Sequence, residues 1–285
     1  MGILEAKAEA ERKTFIKNCI GFDTPRLESE TYPDGLDNEF DLEYSAGLTL
    51  DIYTPQAARE GHAFLLVHGG AFVYGHKELD KCFGMHLALK SGIRVVNINY
   101  TLMPDNDLHG LLSQIMKAVR FIQERLHIEH IHTVGDSAGG YLSLITSMLI
   151  NSEVMRKECG LDAHISATAD SANMICGLYK TSPRTFAGIY FDREGKMPSY
   201  IYDLSKAVTR FGCPRAVLVT GDKDFLEKEN IGFEKFLKDA GIPVKFMDAV
   251  SADGRDMFHV YPIANPTWPE GEKTIQMISD NANGR

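Results

Sequence analysis

An α/β architecture, with a mostly parallel sheet covered by helices on both faces, is the fold class that three observations predict. Strand-like apolar runs alternate with helix-like patterns along the chain. The runs at 63–67 and 94–98 are continuously apolar rather than alternating, as strands buried on both faces require. Glycine-rich turns follow two of the runs, at the strand ends where such sheets bind ligands.

The 285 residues suit one large α/β domain spanning 1–285, since no repeat, low-complexity tract or long linker divides them. A net charge of −9 without a block of Lys or Arg excludes a phosphate footprint, so nucleic acid is not an expected partner. No apolar run approaches the ~18 residues of a membrane span, and none is expected. Residues 1–20 lack the continuous apolar stretch of a secretion signal. Five dispersed cysteines without a C-x-x-C pair read as reduced thiols. Together these point to the cytoplasm.

Taken in order, 3–18 is a charged amphipathic helix and 19–38 is rich in loop formers. Segments 40–44 and 48–53 alternate in polarity around Ser45-Ala46-Gly47, an antiparallel hairpin signal. Buried strands are expected at 63–67 and 94–98. Between 107 and 126 apolar residues recur at helical spacing along one face. A strand at 131–134 runs into a helix after Ser137. Further strands are expected at 165–169, 216–220 and 244–248, with a helix over 227–240. Thr267 and Glu270 form a capping box for a C-terminal helix. The stretch 171–206 fits no strand–helix unit. It carries Tyr179, Phe186, Tyr190, Phe191, Tyr200 and Tyr202, and reads as either a lid or a plain packed excursion.

Four segments carry chemistry. Gly135-Asp136-Ser137-Ala138-Gly139 sits between a strand and a helix. Glycines at both second neighbours permit the sharp turn of a nucleophile elbow, which lifts the Ser137 hydroxyl clear of the sheet. His68-Gly69-Gly70-Ala71-Phe72 follows the 63–67 strand. There the N–H groups of Gly69 and Gly70, with that of Ala138, would form a three-donor oxyanion hole. His68 itself reads as a residue that organises the loop. After the strand ending at Thr220, Asp222 and Asp224 are both candidates for an acid that orients a base; the pattern favours Asp224. His259 is the only histidine beyond Asp224, which makes it the general base. His127, His130 and His132 match no metal spacing and read as solvent and strand-edge residues; no metal is expected. Cys213 has no nearby base and reads as structural.

The order Ser137, Asp224, His259 is that of the α/β-hydrolase fold. The chain resembles the hormone-sensitive-lipase-like carboxylesterases of that fold. The resemblance rests on His68-Gly69-Gly70, Tyr100-x-x-x-Pro104-Asp105, Gly135-Asp136-Ser137-Ala138-Gly139-Gly140, Asp224-x-Leu226 and His259. It implies cap elements near 1–40 and 171–206 over the acyl pocket. Three features depart from the family's pattern. Ala71 stands for a third glycine, Phe225 for the proline usual after the acid, and the acidic residues beyond are shifted to Glu227 and Glu229. The expectation is a cofactor-free serine esterase acting on small, short-acyl carboxylic esters, with Phe72 and Tyr74 at the substrate pocket. An amidase or arylformamidase with the same triad, or a ligand-binding pseudo-hydrolase, is the alternative. A homodimer through an edge strand or the cap is left open.

Overall fold

The computed structural model describes residues 3–161 and 163–285. Residues 1–2 of the expected 1–40 cap element fall outside it. The elements are α1 (Ile3–Ser29), β1 (Leu36–Ser45), β2 (Leu48–Pro55), β3 (His62–Val67), α2 (Lys81–Ser91), β4 (Arg94–Ile98), α3 (Leu108–Leu126), β5 (His130–Asp136), α4 (Ala138–Asn151) and α5 (Glu153–Glu158). They continue with β6 (Thr168–Ile175), α6 (Leu204–Phe211), β7 (Arg215–Gly221), α7 (Glu227–Asp239), β8 (Val244–Ala249), α8 (Tyr261–Ala264) and α9 (Pro269–Ala282). The strands form one sheet in the order β1-β2-β4-β3-β5-β6-β7-β8. β1, β2 and β4 pair antiparallel, and every pairing from β4 through β8 is parallel. Apolar faces of α3, α4 and α7 cover one side of the sheet, and α2, α8 and α9 cover the other. Among the described residues no helix is long and apolar enough to cross a membrane.

Three expectations are corrected. Helix α1 runs through the expected loop region to Ser29, with Pro25 inside it. Tertiary ties outweigh the local breakers there: Arg26 donates to the Leu79 carbonyl at 3.1 Å and pairs with Asp23 and Glu30. Strand β6 lies at Thr168–Ile175, not 165–169, so the aromatic insertion starts beyond Ile175. Its polar residues disguise a buried strand, because each has a partner inside. Ser171 Oγ meets His132 Nδ1 at 2.9 Å, and Asn173 Nδ2 donates to the Thr133 carbonyl at 2.8 Å. Helix α9 opens at Pro269 after Trp268, with no side-chain cap, so the Thr267–Glu270 box does not form. Glu270 instead meets Arg255 at 3.4 Å.

The amino-terminal end of the sheet buries a histidine cluster. His132 is fully buried, contrary to the solvent-edge expectation, and its Nε2 meets His62 Nδ1 at 3.2 Å. Burial pushes His62 and His68 down to about 4 and His132 down to about 3. His86 is also lowered by burial. These rings are neutral in the folded chain, whereas in the unfolded chain they bind protons below about pH 6.5. Unfolding therefore takes up protons between about pH 6.5 and 4, and stability declines as the pH falls through that window. Four carboxyls raised by burial, Glu30, Asp80, Asp136 and Asp248, act in the opposite sense, while carboxyls that their partners hold low, Glu78, Asp170 and Asp224 among them, act with the histidines. The urea midpoint is accordingly expected to be lower at pH 5 than at pH 6.5. A midpoint equal or higher at pH 5 would contradict this account.

Candidate active site

Four loops at the carboxyl ends of β3, β5, β7 and β8 converge. After β5, Ser137 takes φ 51° and ψ −115°, a backbone conformation that costs an L-residue on the order of 1–3 kcal/mol. The turn holds because nothing larger than hydrogen fits beside it. A methyl at Gly139 would overlap the Val67 carbonyl oxygen and lie 2.7 Å from that of His68. A methyl at Gly135 would lie 2.5 Å from the Gly139 carbonyl oxygen. The Ser137 N–H donates to the Ile175 carbonyl at 2.8 Å, and its carbonyl accepts from Leu178 N–H at 3.1 Å, so β6 fixes the elbow from one side.

His259 lies in the loop between β8 and α8. Its Nε2 is 3.0 Å from Ser137 Oγ and its Nδ1 is 2.7 Å from Asp224 Oδ1. Asp224 is buried. It also accepts from the Leu226 N–H at 2.9 Å and the Thr220 hydroxyl at 2.7 Å. Burial raises its carboxyl, but the hydrogen bonds from His259, Leu226 and Thr220 outweigh it and hold the group below its ordinary value. Asp222 is not at this site: its carboxylate faces the Lys223 ammonium at 3.0 Å.

The β3 loop turns through three successive left-handed residues, Gly70 (φ 96°), Ala71 (φ 51°) and Phe72 (φ 64°). His68 organises it from within. The buried imidazole donates from Nδ1 to its neighbour's carbonyl, that of Gly69, at 2.9 Å. It stacks on Tyr100 with centroids 4.2 Å apart, and the Tyr100 hydroxyl donates to the His68 carbonyl at 2.8 Å.

The hole expected from Gly69, Gly70 and Ala138 needs one correction. The Gly69 N–H is committed to the buried Asp136 carboxylate at 2.8 Å and cannot face a substrate. Among the described residues, the N–H groups of Gly70, Ala71 and Ala138 donate to no acceptor of the chain. Ala138 also opens α4, so its N–H adds the positive end of a helix. Sequence reasoning treated Ala71 only as a replacement for glycine. The signal pointing further along the loop is Asp136, an acceptor directly beside Ser137 that has to be satisfied. Burial raises Asp136 to about 6 against the lowering effects of nearby His259 and the Gly69 N–H.

The pocket expectation is corrected for Phe72 alone. Phe72 is fully buried in edge-on contact with Tyr141 and Phe191, at 5.5 and 4.8 Å. It therefore lines no space that a substrate enters. Tyr74 donates its hydroxyl to Asp23 of α1 at 3.0 Å, tying that helix to the loop. Helix α1 also meets Phe258, next to His259, through Phe22 at 5.6 Å. Its Phe15 meets Phe186 of the aromatic insertion at 5.4 Å.

Among the described residues, two groupings offer metal-type ligand atoms within 4.8 Å of one another: Cys176, Asp224 and His259, and, at the far end of the sheet, His62, His130 and Asp170. The first is the serine–histidine site itself, with Cys176 Sγ accepting from Val260 N–H at 3.3 Å. In the second, the His62 and His130 rings stack at 4.5 Å, so their in-plane lone pairs run parallel rather than converge. His130 is taken by Asp170 at 3.1 Å. Burial pushes the Cys213 thiol up to about 12, which leaves it unreactive.

Residues 64–262 match the model of the alpha/beta hydrolase fold family, and the chain belongs to that family. It is 24% identical to a kynurenine formamidase of Danio rerio over 73% of this chain and 70% of that one. It is 21% identical to an acetyl-hydrolase of Streptomyces hygroscopicus over 78% and 75% of the two chains. Among solved structures it superposes on an inhibited esterase B from Lactobacillus rhamnosis with a TM-score of 0.86, at 20% identity, covering 98% and 96% of the chains. It also superposes on an esterase of the bacterial hormone-sensitive lipase family with a TM-score of 0.71, at 20% identity, over 90% and 87%.

Proposed function

We propose that this protein is a serine carboxylesterase hydrolysing small, short-acyl esters through an acyl-enzyme. The observation that carries the reading is the continuous line Ser137–His259–Asp224, with links of 3.0 and 2.7 Å. His259 removes the Ser137 proton as Oγ attacks the ester carbonyl. The N–H groups of Gly70, Ala71 and Ala138 receive the oxyanion. Each such donor is worth roughly 3 kcal/mol in the transition state. The imidazolium then protonates the departing alkoxide, and a water activated by His259 releases the acid. The family model and the acetyl-hydrolase relative support this chemistry and a short acyl group.

In this reading α1 and the aromatic insertion form the cap, joined by the Phe15–Phe186 contact. All five cysteines are thiols, as suits the cytoplasm. The formamidase relative favours a second reading, an arylformamidase with the same machinery. Matched ester and amide substrates separate the two by kcat/KM. A pseudo-hydrolase is disfavoured because serine, base and acid are all in contact.

The test is hydrolysis of p-nitrophenyl acetate, butyrate, octanoate and palmitate. Rates are expected to fall with chain length and to vanish in Ser137→Ala. Rates that rise toward palmitate would overturn the short-acyl assignment.

A further inference from the structure

Phe225 follows the triad acid directly, and the residue is 74% exposed. Burying a phenylalanine stabilises a fold, so the folded chain forgoes that stabilisation here. The ring is nevertheless not loose in position. It rests 4.1 Å from the His259 imidazole, inclined at 36°. The backbone beneath it is tied on both sides. Asp224 N–H donates to the Gly221 carbonyl at 2.9 Å, Leu226 N–H donates to Asp224 Oδ1, and Lys223 bridges to Phe258. An apolar ring is thus held against the base and left open to whatever binds there.

The chemistry says what binds there. In the proposed reaction the acyl group stays with Ser137 and its hole, while the leaving oxygen must come within about 3 Å of His259 Nε2 to take the proton. The group attached to that oxygen therefore passes along the imidazole, the ring on which Phe225 lies. The His259 side chain is 20% exposed, so this side of the base is reachable. The nearby charges of Asp222 and Lys223 pair with each other at 3.0 Å, and what Phe225 itself offers is an exposed aromatic ring. A small alkyl group gains little from such a surface, whereas an aromatic ring gains an offset or edge-on partner.

Resting on the esterase reading above, we propose that Phe225 selects the leaving group, and that the preferred substrates are aryl esters whose ring lies against Phe225 as the phenol departs. The acyl C–O bond breaks, the imidazolium proton passes to the phenolic oxygen, and the acyl carbon remains bonded to Ser137 Oγ. The arylformamidase alternative shares this requirement, since its leaving group is an aryl amine.

The experiment compares kcat/KM for phenyl, cyclohexyl and methyl acetate, which share one acyl group, in the wild type, Phe225→Ala and Phe225→Trp. Phe225→Ala is expected to lose roughly fivefold to tenfold more on phenyl acetate than on methyl acetate. The loss should fall mainly on KM, and Phe225→Trp should restore it. Equal losses on phenyl and methyl acetate would overturn the proposal, leaving Phe225 as a support for His259. Equal losses on phenyl and cyclohexyl acetate would overturn the aromatic preference. If the wild type turns over none of the three esters faster than Ser137→Ala, the esterase reading itself fails. Phenyl acetate binding to Ser137→Ala, followed by ligand-observed NMR, then decides the role of Phe225. Weakening of fivefold or more on adding Phe225→Ala supports the platform, and unchanged binding overturns it.

Discussion

Ser137→Ala is expected to lower kcat/KM on acetyl and butyryl esters by about 10⁵-fold or more, with Asp224→Asn costing on the order of 10⁴-fold. The difference follows from the geometry. Without Oγ there is no nucleophile, whereas without the Asp224 charge the serine and base remain but the imidazole loses the partner that selects its tautomer and stabilises its cation. The three residues act as a unit, so the double variant Ser137→Ala/His259→Ala should be no slower than either single one. Asp222→Asn is the informative control. Its carboxylate meets Lys223, not His259, and its rate should stay within about twofold of wild type, a change of under ~0.5 kcal/mol. Steady-state kinetics on p-nitrophenyl acetate decides the matter. A larger loss for Asp222→Asn than for Asp224→Asn would reverse the assignment of the acid.

Gly139→Ala should produce the largest loss of stability from the smallest change of side chain. Its added methyl would overlap the Val67 carbonyl oxygen and sit 2.7 Å from that of His68. Both obstacles are backbone of β3 and the hole loop, so neither can rotate away. Relief requires α4 to move off the sheet, at a cost of about 3 kcal/mol or more. A chain of this size should lose at least roughly 6–12 °C in Tm by thermal circular dichroism. Esterase activity should be lost at temperatures where the variant is still folded, because α4 carries Ala138 of the hole. Gly232→Ala provides the contrast. It lies in α7 with open space around the added methyl, and should leave Tm unchanged or raise it slightly, since alanine favours helix by up to about 1 kcal/mol. Equal Tm values for the two variants would show that close packing does not hold the elbow.

What could be read in advance was whatever declares itself through local pattern. The amphipathic period of α3 is visible in the sequence. So are the continuous runs of β3 and β4, and the chain order that brings Ser137, Asp224 and His259 together. What escaped depends on partners distant in sequence. β6 hides because Ser171 and Asn173 are satisfied by β5, and no pattern within the strand reports that. The end of α1 hides because Arg26 finds its acceptor, the Leu79 carbonyl, 53 residues away. The commitment of the Gly69 N–H escaped for the same reason. Glycines show where the backbone can turn, but only the fold reveals that Gly69 has spent its N–H on Asp136. Phe72 reads as a pocket aromatic by position, yet the turn at Ala71 sends it into the core.

The bond from Gly69 to Asp136 has a consequence for any genetic map of this enzyme. One carboxylate joins the strand that ends at Ser137 to the loop of Gly70 and Ala71, and substituting it would leave a buried donor unsatisfied, at roughly 1–3 kcal/mol, while loosening both halves of the proposed site. In a saturation screen scored by growth or colour, position 136 would be as intolerant as 224. Read without geometry, that map would nominate a second acid beside the nucleophile. Asp224 also accepts from the Leu226 N–H and the Thr220 hydroxyl, so general substitution costs abundance at both positions, and the two separate in their asparagine variants scored per folded molecule: Asp136→Asn keeps an oxygen for the Gly69 N–H, whereas Asp224→Asn loses the charge that stabilises the imidazolium.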